Sequence, residues 1–322
     1  MSLVTACTTE DNAVDPVGPQ EEVITEFYNE TVNKMIDENY EKVKANGYAE
    51  LVIPASLYPK GMIKIPAADM EAMDYVIKAG HTAFVNGGAV RDGVMGTPSH
   101  DIDFSTNASI DQIVATVPNA KSFNAFKNIW VVKAYHDGDI ETDIAPIFSI
   151  FEEYGGKGNV PLTKYPDSPY CDDLLEDTYS RDFTINALYY DYGTGDIIDY
   201  HGGLHDLRDG IMNTVVTADV KIALDARAIL RGLRFAAKYQ FRVGEELDKA
   251  YKDHIDALKE LDTYNSIYNM ESGFNGVFAL RYFKLLEQYK VTDYYLTSLT
   301  DRLQTSAYKD FVDGYFLASL CR

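Results

Sequence analysis

Strand-like periodicity in this 322-residue chain stops at about Val216. Before that point, short runs with period-two alternation are mixed with helical patterns; after it, only helical patterns remain. That order predicts an α+β domain followed by an all-helical region. Nearly half the residues, 46%, are hydrophobic, enough for a real core.

The predicted elements follow from local pattern. Residues from Glu21 to about Asn46 and from Ala67 to Lys78 read as helices, the second closed by Gly80 at a C-terminal cap. Thr82 to Asn86 reads as a strand, Gly87-Gly88 as a turn, Ala89 to Met95 as a helix and Asp101 to Ser105 as a strand. Ser109 to Val117 reads as a helix. A hairpin is expected for Ile129 to Tyr135 and Ile140 to Ile147, and another for Ala187 to Asp191 and Asp196 to Asp199. Between them lie a Gly- and Pro-rich loop, Lys157 to Pro169, and a helix starting near Asp172. Helices are then predicted over Ala218 to Tyr239, Glu245 to Leu261 and Phe274 to Tyr289. The expected division is a tether over 1–20, a head domain over 21–215 and a helical neck and shortened body over 216–322.

Within the head, Asp101 and Asp103 stand at i and i+2 of a strand and so share a face. Two such carboxylates repel unless a cation lies between them, and oxygen ligands of this kind suit Mg²⁺. An isolated Asp-x-Asp is more often an exposed strand. Here Gly87-Gly88-Ala89-Val90-Arg91-Asp92 lies just upstream, between a strand and a helix. Paired glycines let the backbone approach a ligand, the helix start favours anions, and Arg91 offers a fork for phosphate oxygens. Together the two segments read as a metal and phosphate site.

Four ordered motifs carry a resemblance. Gly87-Gly88-x-Val90-Arg91-Asp92 with Asp101-Ile102-Asp103-Phe104 is similar to the first motif of tRNA nucleotidyltransferases and bacterial poly(A) polymerases. Arg181-Asp182-Phe183-Thr184-Ile185-Asn186-Ala187-Leu188 resembles the second. Asp199-x-x-Gly202-Gly203-Leu204-x-Asp206-Leu207 resembles the next, and Arg231-x-x-Arg234-Phe235-Ala236-Ala237 the neck helix. The resemblance covers roughly residues 65 to 242. It implies a polymerase-β-like palm, a mixed sheet of about five strands with flanking helices, followed by a helical neck and body. The implied reaction is Mg²⁺-dependent transfer (Mn²⁺ being an alternative) of a nucleoside monophosphate from an NTP, ATP and/or CTP, to a hydroxyl, an RNA 3′ end in this family. Asp101 and Asp103 would hold the metal. Glu141 best matches the family's assisting carboxylate, with Asp143 a rival on the same face. Gly87, Gly88 and Arg91 would hold the triphosphate, with Arg181 and Asp182 nearby; Asp92, Asn186, Asp225, Arg231 and Arg234 complete the nucleotide-binding set.

The chain departs from the pattern in ways that bear on substrate. The neck motif usually begins Glu-Asp-x-x-Arg, with the acid and Arg reading the base; here Leu224, Asp225 and Ala228 stand there. Ala228 has no donor to offer a base. Ser180 and Pro146 stand where the family has Arg. A net charge of −21 and a short C-terminal region weigh against tRNA itself as the acceptor. Basic character is local: Arg227, Arg231, Arg234, Lys238 and Arg242 form a ridge at helical spacing, either a phosphate contact or a solvated face. Two further readings therefore stand beside the first: a nucleotide- or RNA-binding protein that has lost turnover, and transfer to a non-RNA acceptor.

The three cysteines, Cys7, Cys171 and Cys321, lack metal-ligand spacing. Val4-Thr5-Ala6-Cys7 has the form of the end of a bacterial lipoprotein signal, with Cys7 as the lipid anchor. The alternative is a chance match in a polar N-terminus. The first implies a cell-envelope protein, whereas the family resemblance implies a cytoplasmic one. No stretch of eighteen apolar residues is present to span a membrane.

Overall fold

A computed structural model of the chain describes residues 26–99, 102–126, 129–136 and 140–295. They fall into two compact units, one formed by residues up to 209 with 213–220, the other by 210–212 with the residues from 221 onward. Asp101 and Cys7 lie outside the described residues.

The first unit is built on one eight-stranded sheet. Its strands are β1 (Leu51–Ile53), β2 (Phe84–Asn86), β3 (Asp103–Thr106), β4 (Ala120–Phe126), β5 (Ile129–His136), β6 (Ile140–Pro146), β7 (Leu188–Asp191) and β8 (Ile197–Asp199). Their order is β1-β8-β7-β2-β3-β6-β5-β4. The pair β3–β6 is parallel and the other six pairs are antiparallel. The sheet is wider than the five or so strands expected. The short β1 pairs with β8 at one edge, and β4 pairs with β5 at the other.

Helices of this unit are α1 (Glu30–Asn46), α2 (Ala67–Lys78), α3 (Gly88–Val94), α4 (Ile110–Thr116), α5 (Leu174–Thr178) and α6 (Gly203–Asp209). Their ends are chemically marked. The Asn29 side chain accepts from Val32 N–H at the start of α1, and Gly47, at φ 84°, stops it. Ser109 and Gln112 form a reciprocal capping box on α4. Ala72, Met73 and Val76 of α2 are buried, and α2 packs on β6. On β6 the even residues Thr142 and Ile144 are buried, whereas Glu141 and Asp143 face the other side. One face of this part of the sheet is thus core, and the other carries polar side chains.

The last described residues of the head lock its motifs together. Asp199, fully buried, accepts from the backbone N–H groups of His201 at 2.9 Å and Leu204 at 2.8 Å. Burial raises its carboxyl pKa against the opposing pull of those donors. Gly203 has no alternative: a Cβ there would lie 2.2 Å from the Thr184 carbonyl oxygen. Asp206 accepts from Thr184 Oγ1 at 2.6 Å and Asn213 Nδ2 at 3.0 Å.

The second unit is helical, apart from the parallel pair β9 (Ile211–Met212) and β10 (Arg242–Val243). After α7 (Ala218–Leu224), which runs across the division, come α8 (Arg227–Tyr239), α9 (Glu245–Asp253), α10 (Thr263–Phe274), α11 (Ala279–Gln288) and α12 (Thr292–Tyr295). Tyr251 and Tyr282 donate to the carbonyls of Ala228 and Leu230 of α8. No described helix is long and apolar enough to cross a membrane.

Candidate active site

Strand register assembles the site. Lys133 on β5 faces Asp143 on β6, Asp143 faces Asp103 on β3, Asp103 faces Asn86 on β2, and Asn86 faces Tyr189 on β7. Residues paired across strands share a face, so five side chains line one row. Asp143, the rival reading, is the carboxylate directly beside Asp103. Glu141 lies on the same face, opposite Tyr135.

Lys133 brings a cation close to the row. Lys133 Nζ lies 2.6 Å from Glu141 Oε2 and 3.0 Å from Asp143 Oδ1. The hydrogen bond to Glu141 first, and then the close Asp143 carboxylate, raise its pKa above the ordinary lysine range. Asp143 Oδ1 is shielded from solvent and makes no well-aligned hydrogen bond, so the lysine is a charge neighbour more than a directional partner. Carboxylates grouped like this call for positive charge, and the ammonium stands where a cation belongs. Asp103, Asp143 and Glu141 carry the oxygen donors a hard divalent ion takes, although among the described residues no three such side chains are grouped closely enough to hold one on their own. Asp101, which would complete the expected pair, lies outside the described residues.

At the other end of the row the glycine turn closes over β7. Gly87 adopts φ 64° and ψ −126°, a conformation open to glycine and closed to bulkier residues. Its N–H is bonded to the Leu188 carbonyl at 3.0 Å, which fixes the turn to the sheet. A Cβ on Gly88 would lie 3.2 Å from an Arg91 nitrogen. Arg91 is 5% exposed: Nε donates to Asp92 at 2.8 Å and Nη1 to Asn186 Oδ1. Asn186 in turn donates to Asp182 Oδ1 at 3.0 Å. Expected as an open fork for phosphate, Arg91 is instead folded back, tying the first motif to the second.

Arg181 is placed differently. Nη1 donates to Asn86 Oδ1 at 3.1 Å and Nη2 to Asp177 Oδ2 at 2.8 Å, while its plane lies over the Tyr189 ring at 5.6 Å. Its Nε is buried with no hydrogen-bond partner. A buried guanidinium with a donor to spare, anchored to the carboxylate row through Asn86, suits an anionic ligand. Asp177 is buried at 0% exposure and also accepts from Tyr189 Oη at 2.5 Å and Phe148 N–H at 2.9 Å. Asn86, Asp177, Tyr189 and Lys133 were not singled out in the sequence. Asp177 was within reach of a spacing argument, four residues before Arg181 at the end of a helix. The others need the register.

The neck residues are described within their own unit. Asp225 is held by Arg227 in a two-pronged pair, Nε–Oδ1 at 2.7 Å and Nη2–Oδ2 at 3.0 Å. Ala228 is buried. Arg231 and Arg234 lie over the Phe235 ring at 5.9 and 4.8 Å, and Lys238 over Tyr239 at 4.9 Å. With Arg227 they form the only incompletely buried face of α8.

A mixed sheet with adjacent carboxylates, a glycine turn and a buried arginine defines a nucleotidyltransferase head. Residues 83–213 match the family described as the poly A polymerase head domain. A CCA-adding enzyme of Streptococcus uberis is 28% identical over 263 residues, covering 80% of this chain and 62% of that protein. The CCA-adding enzyme of Bacillus licheniformis is 31% identical over 205 residues, covering 63% and 49%. Among solved structures, the Bacillus stearothermophilus CCA-adding enzyme in complex with CTP has a TM-score of 0.58 at 27% identity, covering 69% of this chain and 52% of that one. Over residues 83–213 the chain is thus similar to the head domain of the tRNA nucleotidyltransferase and poly(A) polymerase family. It spans from about half to three-fifths of the length of the curated relatives it matches.

Proposed function

We propose that this chain is a divalent-metal-dependent nucleotidyltransferase that moves a nucleoside monophosphate from ATP or CTP to an RNA 3′ hydroxyl and releases pyrophosphate. The observation that carries this reading is the row placing Asp103 beside Asp143, with Arg181 joined to it through Asn86.

Asp101, Asp103 and Asp143, with Glu141 assisting, would hold the metal, which when bound lowers the charge on the phosphates and activates the attacking hydroxyl. Mg²⁺ is the proposed ion, with Mn²⁺ as its substitute. Arg181, its side chain 21% exposed, would meet the triphosphate beside the turn of Gly87 and Gly88. Arg91 and Asp92 would brace that turn from behind. Asp182 and Asn186 would orient the sugar. Positioning and charge neutralisation account for most of the rate in phosphoryl transfer, so rigid bracing is itself part of the chemistry.

The test is incubation with each labelled NTP, Mg²⁺ and either tRNA lacking its 3′ end or a generic RNA. Extension that falls by about a thousandfold in Asp103→Ala supports the proposal. The two RNA arms decide whether tRNA is the acceptor. A second reading, nucleotide binding without turnover, is favoured by Ala228 being buried where the family reads the base. Binding without incorporation would support it, and labelling of a non-RNA acceptor would support transfer elsewhere. A lipid on Cys7 is a separate proposal, tested by intact-mass measurement of protein isolated from its own cells.

A further inference from the structure

We infer that Lys133 is a built-in competitor for the metal: its ammonium takes carboxylate oxygens that a divalent ion uses, so metal loading displaces it. This rests on the metal-dependent reading above and adds a control to that site.

The geometry is specific. Lys133 is paired in register with Asp143, which is paired with Asp103, so the lysine enters the row from the side away from the glycine turn. Its Nζ spans two carboxylates, 2.6 Å from Glu141 Oε2 and 3.0 Å from Asp143 Oδ1. A bridging position between two anions is what a metal would occupy. Asp143 Oδ1 is shielded from water and lacks a well-aligned hydrogen bond. The Asp143 side chain as a whole is 47% exposed, so removing the lysine would open that oxygen to water or to another cation. The ammonium can also leave: the Lys133 side chain is 32% exposed and sits on a flexible four-carbon stem. Lys121, its partner on β4, shares the same face and lies over the Tyr135 ring at 5.5 Å.

A positive charge kept a few ångströms from an incoming divalent ion opposes it by about 1–2 kcal/mol in a water-accessible site, which corresponds to about tenfold in affinity. The consequence is a threshold: the carboxylates stay neutralised at low metal and load only when metal, or metal carried in on a nucleotide, is abundant.

The experiment measures Mn²⁺ binding to the whole chain without nucleotide, following free Mn²⁺ by electron paramagnetic resonance. The wild type is compared with Lys133→Met, Lys133→Gln and Asp103→Asn, with circular dichroism to confirm folding. Both lysine variants should bind Mn²⁺ about tenfold more tightly than the wild type, and Asp103→Asn should weaken binding in either background. Unchanged or weaker Mn²⁺ binding in both lysine variants, with Asp103→Asn still disruptive, would overturn the competitor role and leave the metal site standing. Mn²⁺ binding that ignores Asp103 in every background would sink the metal-dependent reading itself. Weaker ATP binding in Lys133→Met with an unaltered Mn²⁺ constant would make the lysine a phosphate ligand and also overturn the inference.

Discussion

Asp177 shows how one buried carboxylate can set up a site it does not enter. It holds Arg181 at 2.8 Å and Tyr189 at 2.5 Å, and takes the Phe148 N–H as well. Arg181 is left with little solvent, its side chain 21% exposed. Removing one member of such a pair strands the other charge. Asp177→Ala should therefore cost about 3 kcal/mol in urea unfolding, near the lower end for a broken buried pair. If Arg181 positions the triphosphate, the same variant should raise the KM for NTP more than it lowers kcat. A stability loss with unchanged KM would leave Asp177 a purely structural residue. The residue scale also shows what the sequence could reveal. Gly87-Gly88 and Asp103 are legible from chemistry and spacing, because few local structures need those residue types together. Arg91 is not: Asp92 and Asn186 capture its guanidinium, and the second of these is 95 residues away.

At the scale of elements, legibility followed periodicity. The helix predicted over Ala67 to Lys78 is observed with those bounds, since its apolar positions repeat cleanly and Gly80 ends it at φ 89°. β4 was missed. It is an edge strand whose pairing with β5 slips between Asn124 and Phe126, and Lys121, Ser122 and Phe123 are all exposed. β1 is only three residues long and exists because β8 is there to pair with it. The helix expected over Ala218 to Tyr239 is two, separated at Asp225 and Ala226, where Asp225 bonds Arg227 N–H as a cap would. Similarly, Phe274 ends one helix and Ala279 begins another. A Cβ on Gly273 would lie 2.1 Å from the Tyr282 ring, so α10 and α11 cross closely there. β1 and the α10–α11 crossing reflect tertiary contacts overriding a local pattern, whereas the break at Asp225 is a local cap within the chain. The joint between α5 and the turn before α6 gives a pH signature. His201 is buried, bonded to Thr178 Oγ1 at 2.7 Å, and burial lowers its pKa to about 4. An unfolded histidine titrates near 6.5, so the unfolded chain binds the proton first as pH falls. Stability from His201 is complete above pH ~6.5, declines between there and about 4, and is lost below, a total of about 3 kcal/mol. Urea unfolding at pH 7 and pH 5 should show this slope in the wild type and a shallower one in His201→Gln. Equal slopes would refute it.

For the whole molecule, a net charge of −21 sets the terms on which any anionic substrate is met. Self-repulsion of that size lowers the stability of a compact chain, and salt relieves it. Charge alone therefore makes NaCl stabilising, with most of the gain by about 0.15 M, where the screening length is about 8 Å. A specific ion site acts by another route: an ion bound by the folded chain alone stabilises by mass action, rising with the logarithm of its concentration past Kd. The two separate when Tm is followed in MgCl₂ and in NaCl at matched ionic strength. General screening should move both curves together, although a divalent ion also associates more strongly with an acidic surface. Asp103→Asn removes about one charge of the excess and leaves the surface otherwise intact. It should therefore abolish the extra rise in MgCl₂ while leaving the NaCl curve in place. Lys133→Met should shift the extra rise to lower MgCl₂, because the competing ammonium is gone. An extra rise that survives Asp103→Asn would locate the magnesium effect on the acidic surface and away from the carboxylate row.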